Sequence, residues 1–95
     1  MVKLDRQVDF SPACSARWVS SLDEVHFFAR FGGNRLLCRL SRDYLEAAGV
    51  PSPSSDMCLS VIDRNFDRIK RRVAQIVALG RYEEGGSVLL RRTDW

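Results

Sequence analysis

Apolar residues recur at steps of three and four along residues 59–79, and this spacing predicts one long amphipathic α-helix. Ser60 is a suitable N-terminal cap, and Gly80 follows the last apolar position, where a left-handed C-terminal cap is expected. An amphipathic helix of this length is not stable alone, so its apolar stripe requires a partner surface. The stripe consists of Ile62, Phe66, Ile69, Val73, Ile76 and Val77.

Residues 24–41 alternate between apolar and polar side chains, which predicts a β-hairpin with a turn at residues 32–34. A two-residue loop at Gly33-Asn34 would place Phe31 opposite Leu36. If the pairing of the two strands shifted by one residue, the apolar side chains of the two strands would lie on opposite faces of the hairpin. The sequence therefore specifies which side chains share a face. The apolar face, which we expect to pack against the long helix, consists of Val25, Phe27, Ala29, Phe31, Leu36, Cys38 and Leu40.

The remaining segments complete one domain over residues 1–95. They are an N-terminal strand and connector at 1–22, a short helix at 42–48, a loop at 49–57 and a C-terminal strand at 87–91. The first strand is placed at Val8–Phe10, and Trp18 in the connector is interpreted as a core anchor. Ser41 caps the short helix and Gly49 ends it. The order β-β-β-α-α-β predicts an α+β fold, with a mainly antiparallel sheet and both helices packed on one face.

Composition changes this picture little. The chain has a net charge of +3 and 45% hydrophobic residues, typical of a globular protein. No apolar run is long enough for a membrane span, and the first residues lack the apolar core of a signal peptide, so we expect a cytoplasmic protein. Three widely spaced cysteines form no metal or disulfide pattern, and reduced thiols are expected.

Several of these segments resemble a family of short bacterial proteins known as domain of unknown function 1488. The resemblance extends over nearly the whole chain, and the last block is its most specific part. It implies a single small bacterial domain of α+β type, and it implies no activity, because the family has none established. The matching residues are Phe10, Trp18, Val25, Phe27, Ala29, Gly33, Cys38-Arg39-Leu40-Ser41, Leu45, Ile62, Asn65, Ile69, Gly80-Arg81-Tyr82-Glu83 and Gly86-Ser87-Val88-Leu89-Leu90.

No group of residues predicts catalysis. A Cys38–His26 pair would provide a thiol and a base, but strand alternation places the two side chains on opposite sides of the sheet. One histidine and scattered cysteines do not give the paired spacing of a zinc site. The glycine pairs lie in turns between strands rather than before a helix, so no nucleotide motif is present. We therefore expect no enzymatic activity, no cofactor and no metal.

The polar face of the hairpin is a candidate interaction surface. It is open to three interpretations: a solvated face on which Arg39 stacks on Phe28, a dimer interface, or a platform for single-stranded nucleic acid. The dimer interpretation depends on Phe28 and Leu37, which are unusually apolar for a solvated face. The surface comprises Phe28, Arg30, Arg35, Leu37 and Arg39, together with His26.

A second candidate is a basic ridge on the back of the long helix, formed by Arg64, Arg68, Arg71 and Arg72. It could contact phosphates without sequence preference. The alternatives are an ordinary solvated helix face and a GC-rich genome, which raises arginine content without functional demand. Together the two surfaces favour a non-enzymatic protein-interaction or self-associating module, with an accessory nucleic-acid-binding protein as the alternative.

Overall fold

The computed structural model describes residues 8–10, 16–50 and 55–95, and their side chains except those of residues 55–58. Within these ranges the chain forms five strands, two α-helices and a final 3-10 helix, so the predicted α+β fold is confirmed. The elements are β1 Val8–Phe10, β2 Arg17–Val19, β3 Glu24–Phe31, β4 Asn34–Leu40, α1 Arg42–Ala47, α2 Ser55–Leu79, β5 Val88–Leu90 and the 3-10 helix Arg92–Asp94.

The strands form one mostly antiparallel sheet. Its order is β1-β3-β4-β5. β1 and β2 pair with the same edge of β3: β1 pairs with the end of β3, and β2 pairs with its beginning. Only β5 is parallel to its neighbour, β4. Trp18 is partly buried and packs against the core, as expected of an anchor. It lies in β2 opposite Val25, however, and not in a connector without secondary structure. A strand of three residues is too short to show alternation, and only pairing with β3 defines it.

The β3–β4 turn lies at Gly32-Gly33, one residue before the predicted loop. Both glycines have positive φ, 60° and 82°, as a type I′ turn requires. Phe31 therefore pairs with Asn34, and Leu36 pairs with Ala29 rather than with Phe31. The register differs from the prediction by two residues. Because side chains alternate with a period of two, the predicted faces are unchanged.

α2 ends at Leu79 as predicted but begins earlier, and α1 ends at Ala47, one residue before the predicted end. Ser41 caps α1, its hydroxyl accepting a hydrogen bond from the Tyr44 amide. Gly80, with φ of 68°, follows α2, and the next amide, that of Arg81, donates to the Ile76 carbonyl. The predicted cap at Ser60 is wrong, because the helix begins at Ser55 and includes it.

α2 bends at Asn65, which has non-helical φ and ψ of −115° and 16°. The Asn65 side-chain amide donates to the Val61 carbonyl at 2.9 Å, the carbonyl that the backbone amide of residue 65 would bond in a regular helix. Competition of this kind between a side chain and the helix ladder is a known cause of bending. The bend was not predicted from the sequence.

One hydrophobic core joins the sheet to the helices. The apolar face of the hairpin and the α2 stripe contribute to the same cluster, as do Tyr44 and Leu45 of α1. Phe27 and Phe66 pack edge-to-face across it, with ring centroids 5.8 Å apart. The helix stripe and the apolar face of the hairpin therefore contribute to one shared core. Burying these side chains fixes the opposite side chains of the same strands on the other face of the sheet.

Candidate interaction surface

The five predicted residues of the hairpin's polar face lie on one surface, which we call the outer sheet face. Phe28 pairs directly with Leu37, and Arg30 with Arg35. Neighbouring strands extend the surface beyond the hairpin. The outer sheet face consists of Asp9, Arg17, Val19, Glu24, His26, Phe28, Arg30, Arg35, Leu37, Arg39 and Leu89, together with Ser87, whose hydroxyl accepts a hydrogen bond from Arg39.

Apolar side chains form the centre of this face. Phe28, Leu37 and Leu89 come from β3, β4 and β5, and each is half-buried, whereas their chain neighbours Phe27 and Leu36 are buried. Leu89 pairs with Arg39, which is the next outer-face residue after Leu37 on β4. The three apolar side chains therefore follow one another across adjacent strands. No helix covers them in the part of the chain that the structure describes.

A polar network forms one end of the face around Glu24, whose side chain is only 11% exposed. Its Oε1 accepts hydrogen bonds from Arg39 Nε at 2.8 Å and His26 Nε2 at 2.9 Å, and its Oε2 accepts one from Arg39 Nη2 at 2.9 Å. Arg39 Nη1 also donates to the Ser87 hydroxyl. Burial alone would raise the pKa of Glu24, but the bonds from Arg39 and His26 outweigh it and lower that pKa below its ordinary value.

The arginines of the outer sheet face differ in the contacts that they make. Arg39 is held by Glu24, and Arg35 places its guanidinium carbon 4.1 Å from the centre of the Phe28 ring. An arginine therefore stacks on Phe28 as one interpretation expected, although it is Arg35 rather than Arg39. Within the described ranges, Arg17, Arg30 and Arg35 are exposed and form no ion pair. These three arginines outnumber the one exposed acidic residue of the outer sheet face, Asp9, which is the cross-strand partner of Arg30. The edge of the apolar centre is therefore positive on balance.

The four arginines of the basic ridge do not form a uniform surface. Arg64, Arg68 and Arg71 are exposed, but Arg72 is half-buried and bound to Asp94. Arg68 lies over the Trp95 ring, with its guanidinium carbon 3.9 Å from the ring centre. The sequence placed these arginines on one helix correctly. It did not indicate that the 3-10 helix would pack beside them.

Cys38 and His26 lie on opposite faces of the sheet, as strand alternation predicted. Cys38 is fully buried, pairs with Phe27 and lies on the face opposite His26. Burial raises the pKa of Cys38 to about 12, so its thiol is not ionised near neutral pH. Cys14 and the side chain of Cys58 lie outside the described residues.

The described residues contain no group of three or more histidine, cysteine or acidic side chains placed to hold a metal ion. Neither α1 nor α2, as far as they are described, combines the length and apolar character needed to cross a membrane.

Three residues important to these surfaces were missed from the sequence: Glu24, Asp94 and Trp95. Glu24 precedes Phe28 by four residues in the same strand, and side chains at even spacings lie on the same face of a sheet. Strand alternation could therefore have placed Glu24 on the face of Phe28. Asp94 lies three residues after Arg91 and accepts a hydrogen bond from that residue's amide at 2.9 Å, a spacing typical of helix capping. Nothing in the local sequence indicated that Trp95 would contact the middle of α2.

Comparison with known proteins identifies the fold. A crystal structure of a protein of unknown function from the DUF1488 family of Shewanella loihica PV-4 superposes with a TM-score of 0.81. The alignment covers 95% of this chain and 98% of that chain, at 16% sequence identity. The resemblance drawn from the sequence is thus confirmed at the level of the fold. No protein-family model and no curated protein matches the sequence.

Proposed function

We propose that this protein is a non-enzymatic interaction module that binds an acidic protein partner through its outer sheet face. The observation that carries the proposal is the uncovered centre of Phe28, Leu37 and Leu89, which lies on three adjacent strands. Apolar side chains grouped on an open sheet face are typical of a protein contact.

Charge supports an acidic partner. Arg17, Arg30 and Arg35 are exposed around the apolar centre, against one exposed carboxylate, that of Asp9, and the buried carboxylate of Glu24 is already paired with Arg39. Two copies of this face brought together would juxtapose like charges, which disfavours self-association through it. A partner with aspartate or glutamate around an apolar patch is complementary to it.

The alternative of single-stranded nucleic acid has less support on this face. A stacking platform needs an accessible aromatic ring. Phe28 is half-buried and carries the guanidinium of Arg35. We therefore propose contact with a protein. Crosslinking to nucleic acid is one of the results that would contradict this proposal.

The test begins with photocrosslinking in the native cell. A photoreactive phenylalanine analogue replaces Leu37, and the matched control carries it at Leu79, an exposed leucine at the end of α2. A protein captured by the first variant and not by the second is then purified. The proposal expects it to bind the wild-type chain with an affinity that falls with added salt and with Arg30→Glu, while Arg64→Glu has little effect.

Three results would contradict the proposal. Capture of a second copy, with a dimer that dissociates on dilution in light scattering, would make self-association the function of this face. Crosslinks to nucleic acid at residue 37 would support the stacking platform. Equal capture at residues 37 and 79 would leave the outer sheet face with no specific role.

A further inference from the structure

The two strands that carry Phe28 and Leu37 lie inside the sheet. β4 lies between β3 and β5. The other edge of β3 pairs with β1 over residues 29–31 and with β2 over residues 24–26, which leaves two residues between them. Neither β3 nor β4 therefore has an open edge long enough for a partner strand.

The edge of β5 is also poorly suited to strand addition. β5 has three residues, and the residues on each side of it form local hydrogen bonds. The Ser87 carbonyl accepts a bond from the Glu83 amide at 2.8 Å, and the Arg91 amide donates to the Asp94 carboxylate at 2.9 Å. A short edge strand that is closed at both ends limits pairing with another chain. The outer sheet face thus offers a partner its side chains rather than a place in the sheet.

The apolar centre has the width of one helix. Neighbouring strands lie about 4.8 Å apart, so β3 and β5 are separated by about 10 Å, and an α-helix with its side chains is about 10–12 Å in diameter. The opposite face of the same sheet shows this kind of packing, since the α2 stripe shares its core and Phe66 packs edge-to-face on Phe27. A helix on the outer side would add a third layer, as in domains with helices on both faces of a sheet.

Exposed arginines lie on two sides of the apolar centre. Arg30 and Arg35 form a cross-strand pair toward the β3–β4 turn, and Arg17 pairs with His26 on the other side of the centre. Asp9, beside Arg30, is the one exposed carboxylate of the outer sheet face. A helix lying on the apolar centre would bring the flanks of its own apolar stripe close to these arginines, so acidic flanks are favoured.

We propose that the outer sheet face binds an amphipathic α-helix of its partner, with apolar residues at steps of three and four and acidic residues beside them. This inference rests on the function proposed above and adds the conformation of the bound segment. A helix satisfies its main-chain hydrogen bonds internally. It therefore suits a sheet face that offers side chains alone.

Phage display of random linear peptides tests this conformation without an identified partner. Peptides of about 16 residues, roughly four helical turns, are selected on the wild-type chain. They are then depleted on Leu89→Gln, or on Leu37→Gln if circular dichroism shows that the first variant does not fold. The remaining sequences should share apolar residues at steps of three and four, flanked by aspartate or glutamate. A synthesised peptide of this group should gain helical circular dichroism when it binds.

Two substitution pairs separate the helix from the charge. A proline in the peptide, opposite its apolar stripe, should weaken the affinity about a hundredfold because it breaks the helix, whereas alanine at the same place should leave it unchanged. In the protein, Arg30→Glu should weaken the affinity about fivefold at low salt. Arg64→Glu, at an exposed arginine of α2, should have little effect.

Selected peptides that alternate with a period of two, tolerate proline or stay non-helical when bound would overturn the inference, as would a lack of enrichment. If such peptides still lose affinity with Arg30→Glu, the acidic partner remains supported and only its helical conformation is rejected. Peptides whose affinity does not change with Arg30→Glu would contradict the acidic partner itself, and with it the function proposed above.

Discussion

Replacing Glu24 by glutamine removes the one buried carboxylate that organises the outer sheet face in the described residues. The substitution keeps the size of the side chain, but it removes the charge-assisted bonds from Arg39 and His26. A hydrogen bond to a charged group contributes roughly 1.5–3 kcal/mol, and Arg39 can recover part of this from water because its side chain is 24% exposed. We therefore expect Glu24→Gln to lower the free energy of unfolding by about 2 kcal/mol at neutral pH.

The loss should depend on pH with a definite sign. The pKa of Glu24 is lower in the folded protein than its ordinary value of 4.5. Its contribution to stability is therefore complete above that ordinary value, and it is lost as the pH falls through the lowered folded pKa. The difference in stability between the wild type and Glu24→Gln should be constant near neutral pH and shrink in acid.

Urea denaturation followed by circular dichroism at a series of pH values measures this difference. Asp67→Asn is the matched control, because Asp67 is 92% exposed and, among the described residues, forms an ion pair with Lys70 alone, at 3.4 Å. A difference for Glu24→Gln below about 0.5 kcal/mol, the usual range of surface substitutions, would refute the reasoning. A difference that grows in acid would refute it as well.

Three other substitutions test the fold. Ile69→Ala, at a fully buried position of the α2 stripe, should cost about 2–5 kcal/mol in urea denaturation, whereas Ala74→Ser on the exposed side should cost much less. In a Cys14→Ser, Cys58→Ser background, Cys38 should react with a thiol reagent only on unfolding, because its pKa is raised to about 12; rapid reaction of the native protein would contradict its burial. Gly33→Ala should cost about 1–2 kcal/mol because residue 33 has φ of 82°, and an equal cost for Asn34→Ala would contradict the turn assignment.

The features that depend on the periodicity of apolar residues were predicted from the sequence. The α2 stripe and the two faces of the hairpin follow from repeats of 3.6 and 2 residues, and both agree with the structure. The position of the turn could not be predicted from the sequence, because Gly32-Gly33 and Gly33-Asn34 are both acceptable two-residue loops. Both loops leave the same side chains on the apolar face of the hairpin. The start of α2 was misplaced because residues 55–58 precede the apolar stripe and carry no periodic signal.

The candidate surfaces were predictable only in part. Alternation placed Phe28, Leu37 and the nearby arginines on one face, but it could not show which arginine stacks and which one pairs with Glu24. The packing of the 3-10 helix beside α2 involves contacts between residues more than 20 positions apart, such as Arg72 with Asp94. Contacts of that kind depend on tertiary packing rather than on local pattern, and so the sequence did not indicate them.

Hydroxyl-radical footprinting with mass spectrometry tests most directly whether the outer sheet face is open, and it requires no substitution. Three neighbouring pairs of the same residue type serve as internal controls: Phe28 with Phe27, Leu37 with Leu36, and Leu89 with Leu90. The first member of each pair is half-buried and the second is buried. Faster oxidation of Phe28, Leu37 and Leu89 than of their partners is the predicted result. Equal protection within the pairs, or faster oxidation of Phe27, Leu36 and Leu90, would contradict the account.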